Sequence, residues 1–169
     1  MTNRAPKWLG VIFAAQAVFA CAQAPVAPAP NFTLTISQVG YGGTTPGNYA
    51  VLVTQKNIST EELRGGGCLA LRDWFNVSVV HDGVPAEETD FAKSLKKFRE
   101  SGAGCDGSHT GWMIQPGEEH YYQLNVSEFC DMSKPGTYEV TVTKETYPKK
   151  PELSVTVKSN TITIIVPKL

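Results

Sequence analysis

The sequence predicts a single antiparallel all-β sandwich of about seven strands, with one short amphipathic helix inserted over 87–100. Three observations predict it. Short segments in which apolar and polar residues alternate recur along the chain, and a period of two belongs to a half-buried strand. Asp82-Gly83 and Pro116-Gly117 stand between such segments and supply turn chemistry. A single segment abandons that period for helical spacing.

Phe32, Leu34 and Ile36 alternate with Thr33, Thr35 and Ser37, which defines the first strand. Residues 49–54 (YAVLVT) form a short apolar run rich in β-formers that ends at Asn57 and Ser59. Residues 74–81 (WFNVSVVH) run into the Asp82-Gly83 turn of a hairpin. Over 87–100, Phe91, Leu95 and Phe98 fall at i, i+4 and i+7, with acidic residues first and Lys93, Lys96, Lys97 and Arg99 later. That order suits the helix dipole, and the helix is expected to lie over one edge of the sandwich. Strands follow at 110–115, closed by Pro116-Gly117, then at 120–126, 137–144 and 160–166, the last with Ile162, Ile164 and Val166 on one face. Gly40-Tyr41-Gly42-Gly43 and Gly65-Gly66-Gly67 precede no helical phosphate-binding start and read as turns.

The N-terminus has a different character. Arg4 and Lys7 precede a 13-residue apolar stretch, Trp8–Ala20, and then the small residues Ala20-Cys21-Ala22. This is the pattern of a cleaved secretory peptide, with the cut after Ala22. Residues 1–22 are therefore read as signal peptide, 23–31 as a Pro/Ala-rich spacer and 32–169 as the sandwich domain. Val18-Phe19-Ala20-Cys21 also resembles the lipobox of bacterial lipoproteins, which makes acylation of Cys21 the alternative. Either way the expected location is extracytoplasmic, periplasmic or secreted. No apolar run reaches the roughly 18 residues of a membrane-spanning helix. The whole chain has 15 basic and 16 acidic residues, so it carries no electrostatic footprint for nucleic acid.

Asp131-Met-Ser-Lys-Pro-Gly136-Thr-Tyr138-Glu-Val140 is the most specific local motif. It resembles the tyrosine corner of immunoglobulin-like sandwiches, in which a Tyr ring packs under a turn and its hydroxyl bonds backbone upstream. Val140 stands where an antibody domain has its second core cysteine, so the core is expected to be aliphatic. With Gln115-Pro116-Gly117-Glu118 and Lys158-Ser-Asn-Thr-Ile-Thr163, the chain is similar to exported bacterial immunoglobulin-like modules, and more loosely to the BsuPI type of proteinase-inhibitor sandwich. The resemblance implies a fold and a structural role for Tyr138; it carries no activity.

Cys68, Cys105 and Cys130 remain after processing. An oxidising compartment favours one disulfide and one thiol, either Cys68 with Cys105 or Cys105 with Cys130. Cys105-Asp-Gly-Ser-His109 with His81 or His120 lacks the paired short spacing of a metal site, and no metal or cofactor is expected. No nucleophile elbow or phosphate loop occurs, and no catalytic residue is assigned. Asn31, Asn57, Asn76 and Asn125 each begin an Asn-x-Ser/Thr triplet. The expected function is that of a non-enzymatic, monomeric module binding a protein or cell-surface component. Its candidate contact is the loop holding Tyr147, Lys149 and Lys150, stiffened by Pro148 and Pro151. The alternative is a secreted proteinase inhibitor presenting such a loop, and a small metal-dependent enzyme ranks behind it.

Overall fold

The computed structural model describes residues 29–39, 48–67, 75–101, 110–146 and 154–168. Among them lie strands β1 (Phe32–Gln38), β2 (Ala50–Asn57), β3 (Leu63–Gly67), β4 (Asn76–His81), β5 (Val84–Pro85), β6 (Thr110–Ile114), β7 (Glu119–Asn125), β8 (Gly136–Glu145), β9 (Thr156–Lys158) and β10 (Ile162–Val166). Helix α1 (Asp90–Glu100) lies between β5 and β6, and a 3-10 turn, Val126–Glu128, follows β7. One sheet has the order β1-β2-β7, and a second runs β10-β8-β4-β5 with β9 also on β8. A two-stranded ribbon, β3-β6, completes the set, and every pairing is antiparallel.

The alternation foreseen in the sequence decides what each sheet buries. Leu34 and Ile36 of β1, Val51 and Val53 of β2 and Leu124 of β7 share one core cluster with Val79 of β4, Tyr138, Val140 and Val142 of β8, and Ile164 and Val166 of β10. The result is an all-β sandwich with one short helix. Among the described residues there are ten strands where about seven were expected. The additional ones are short or glycine-rich: β3, β5 and β9. Gly65-Gly66-Gly67, read as a turn, is a strand segment because Trp112, Gly111 and Thr110 of β6 pair with it.

Helix α1 begins three residues later than the 87–100 pattern. Asp131 N–H donates to the Glu87 carbonyl at 2.9 Å, and Glu88 bridges to Cys130, so this stretch is held extended. Thr89 is the N-cap, its hydroxyl accepting from Ala92 N–H at 3.2 Å. Leu95 is buried and Phe91 meets Phe129 edge-on at 5.8 Å, whereas Phe98 is exposed. Arg99 donates to the Phe75 carbonyl at 3.0 Å, docking the helix beside the start of β4.

One local device joins the sheets, and another fixes the turn into β8. From Lys158 to Ile162 the chain takes four steps against three from Thr143 to Val140, so β9 and β10 form one kinked strand with a bulge. The kink brings the Asn160 amide to β1: it accepts from Ile36 N–H at 2.7 Å and donates to Ile36 C=O at 3.0 Å, as a peptide group would. At the opposite end of β8, Tyr138 is fully buried and its hydroxyl donates to the Lys134 carbonyl at 2.9 Å. His81 stacks on the Tyr138 ring at 4.2 Å. Gly136 (φ +148°) lies so close that a Cβ would sit 2.3 Å from His81 Nε2, so only glycine admits the ring there.

Candidate functional site

Polar residues enter the sandwich where the alternation continues past the aliphatic positions. On β8 the inward series Tyr138, Val140, Val142 ends at Lys144, and on β2 Val51 and Val53 lead to Gln55 and Asn57. Lys144 is 7% exposed. Its Nζ donates to Gln55 Oε1 at 2.7 Å and lies over the rings of Trp112, Phe75, Phe32 and Tyr122, 4.8 to 5.9 Å from their centroids. Ring faces attract the ammonium, yet burial pushes its pKa down to about 8. The same burial raises the Tyr122 phenol.

Asn57 is fully buried and saturated. Its Nδ2 donates to the carbonyls of Glu61 (2.8 Å) and Ile114 (2.9 Å), and Oδ1 accepts from Ser59 N–H and Oγ. It therefore splices the β2-β7 ladder to the β3-β6 ribbon, and its Asn-x-Ser triplet has no amide hydrogen left for a glycan in the folded chain. Of the other three triplets, Asn125 Oδ1 caps the 3-10 turn, Asn76 is exposed on β4, and Asn31 is half-buried beside β1.

Cys130 carries a free thiol, 3% exposed, whose pKa is pushed up to about 12 by burial and by the neighbouring Asp131 carboxylate. Its candidate partner Cys105, like Cys68, Cys21, the leader, most of the spacer and the loop with Tyr147, Lys149 and Lys150, lies outside the described residues. His81 lines a cleft of about 220 Å³ with Val84, Pro85, Ala86, Glu87, Asp131 and Lys134. Its Nε2 is 3.2 Å from the Pro135 carbonyl and 3.4 Å from Asp82 Oδ2. His120 lies beside Tyr122 on β7, 6.4 Å between ring centroids. Among the described residues no group of three His, Cys, Asp or Glu side chains could hold a metal, and no helix is long and apolar enough to cross a membrane.

The outer face of β1-β2-β7 is laid out in three rows by the strand registers: Thr33–Lys56–Glu119, Thr35–Thr54–Tyr121 and Ser37–Leu52–Gln123. Tyr121 is 61% exposed at one end of the middle row. Its hydroxyl donates to Glu119 Oε2 at 2.8 Å, and Lys56 Nζ bonds Glu119 Oε1 at 3.2 Å. The Tyr121 hydroxyl, and then Lys56, hold the Glu119 carboxyl below its ordinary range, while that carboxylate raises the Tyr121 phenol. An exposed aromatic ring is thus tied by its hydroxyl to a neighbour on the same sheet face. The sequence marked neither Tyr121 nor Lys144; in both cases strand parity was the available signal.

Among the described residues no strand lies against the backbone edge beside that ring. Val126 N–H donates to the Tyr49 carbonyl and Asn57 N–H to the Glu118 carbonyl, both in the register of the β2-β7 ladder. In an antiparallel ladder every second pair exchanges hydrogen bonds. His120, Tyr122 and Leu124 therefore turn their N–H and C=O groups to β2, and Glu119, Tyr121 and Gln123 turn theirs away. Among the described residues β7 has no strand on that side and no backbone group bonds those outward atoms. No protein-family model matches the chain, and no curated protein matches it.

Proposed function

We propose that the chain is an exported, non-enzymatic binding module that engages a protein or cell-surface component through the outer face of β1-β2-β7, with Tyr121 as its anchor. The observation that carries this reading is the exposed, hydrogen-bonded ring on a sheet face that no layer covers among the described residues. A ring already held in place loses little side-chain entropy on docking, and tyrosine offers apolar area with a polar tip. Among the described residues, three chemically capable groups serve the scaffold: Cys130 is buried and protonated, Lys144 closes the core and His81 packs the corner. That division of labour favours binding over catalysis.

The test replaces Tyr121, Ile165 or Tyr147 in turn by a photoreactive benzophenone amino acid in the native host. Ile165 is 67% exposed on the other sheet and serves as control; Tyr147 reports on the loop expected from sequence. Position 121 is expected to give an adduct with another envelope or extracellular component, distinct in mass from an adduct between two copies of the chain, and position 165 none. Adducts from position 147 alone, or equally from all three, would refute the assignment of the face. The mature N-terminus recovered in the same experiment is expected at Gln23.

A further inference from the structure

We infer that β7 pairs antiparallel with β7 of a second copy of this chain, joining two three-stranded sheets into one six-stranded sheet about a two-fold axis at Tyr121. The inference rests on the backbone edge of β7, not on what the Tyr121 face recognises.

Unpaired strand edges template association unless they are shortened, covered or broken. Of the other strands that end these two sheets, β10 is also terminal and only five residues long, and two edges are managed. The outward groups of Ile36 on β1 are taken by the Asn160 side chain. The edge beside β4 ends in β5, two residues long and closed by Pro85, which has no N–H. β7 has seven residues, no proline, and outward N–H and C=O groups on Glu119, Tyr121 and Gln123. Helix α1 docks on Phe75 and Phe129, and among the described residues no backbone group bonds those outward atoms of β7.

The edge is complementary to itself. With the axis at Tyr121, Tyr121 faces its own copy, and Glu119 faces Gln123 on both sides of it. These are the residues whose backbone groups point outward, so three consecutive pairs exchange six hydrogen bonds. On the outer face this sets ring against ring and carboxylate against amide, with no like charges opposed. On the inner face His120 meets Tyr122. This register leaves Asn125 free to cap the 3-10 turn as it does. A shared point axis makes the contact isologous and closed, a dimer and not a fibre. It departs from the monomer expected from sequence and lays two Tyr121 faces side by side in one plane.

Sedimentation equilibrium of the mature chain from about 1 to 500 μM is expected to show one-chain species passing to two-chain species with rising concentration. Gln123→Glu opposes two carboxylate pairs across the axis and is expected to weaken the dimer about tenfold. Gln123→Lys opposes lysine to Glu119 and is expected to tighten it by a similar factor. Both substitutions lie on the exposed face, so circular dichroism and unfolding midpoints are expected to stay at wild-type values. A single-chain mass at every concentration overturns the inference, as does a dimer that the two variants leave unmoved or shift in the same direction.

Discussion

Exchanging Lys144 for methionine replaces a buried ammonium with a thioether of similar length, and the effect on stability has a definite pH dependence. Lys144 falls from its ordinary 10.5 to about 8 because burial penalises the charged form. Below pH 8 the group is protonated in both folded and unfolded chains, and the folded state bears the full cost of burying it. Between pH 8 and 10.5 the folded chain releases this proton while the unfolded chain keeps it. The unfolded state then binds more protons, so the Lys144 contribution to stability rises with pH. The interval corresponds to about 3 kcal/mol, a ceiling, because the four ring faces return part of the cost to the ammonium. Cys130 works in the opposite direction: its unfolded thiol ionises near 9 while the folded thiol holds its proton to about 12. Comparing the two proteins at each pH cancels that background. Urea unfolding followed by tryptophan fluorescence at pH 7, 8, 9 and 10 supplies the measurement, with Trp112 beside the site. The stability of Lys144→Met minus that of wild type is expected to fall with pH, by up to about 2.5 kcal/mol from pH 7 to pH 10. A difference that is flat across this range would refute the assignment of Lys144 as a desolvated ammonium.

Two further outcomes follow from the joints of the sandwich. Asn160→Ala removes both hydrogen bonds to Ile36 and is expected to cost about 2 kcal/mol in urea unfolding; Asn160→Asp costs more at pH 7, where a carboxylate faces the Ile36 carbonyl, and recovers as pH falls below about 4 and the acid can donate. A wild-type unfolding midpoint for both variants would remove Asn160 as the closure of the β1 edge. Cys130, read site by site in mass spectra after brief alkylation at pH 8, is expected to stay unmodified in buffer and to react at the rate of global unfolding in urea; rapid labelling of the native chain would show that the 126–132 segment opens locally.

Much of the fold was legible because strand periodicity is a local property. Side chains two apart share a face whatever lies opposite, so Phe32, Leu34 and Ile36, or Ile164 and Val166, declare their burial within a few residues of chain. The Asp82-Gly83 turn declares itself the same way, and both residues adopt positive φ, +48° and +85°. The same parity places Gln55, Asn57 and Lys144 inside, but polarity argues against burying them until aromatic rings and carbonyl partners from other strands are present. Strands β3, β5 and β9 exist because a neighbour supplies their hydrogen bonds; glycine, proline and brevity hide them from propensity. The contact of Asn160 with Ile36 spans 124 residues. The open edge of β7 is likewise a fact about which strands do not lie beside it. Sequence alone therefore determined which face each strand buries, since backbone geometry fixes that locally. Tertiary structure alone decided which polar groups the core admits and which strands end a sheet, because both depend on partners brought together from distant parts of the chain.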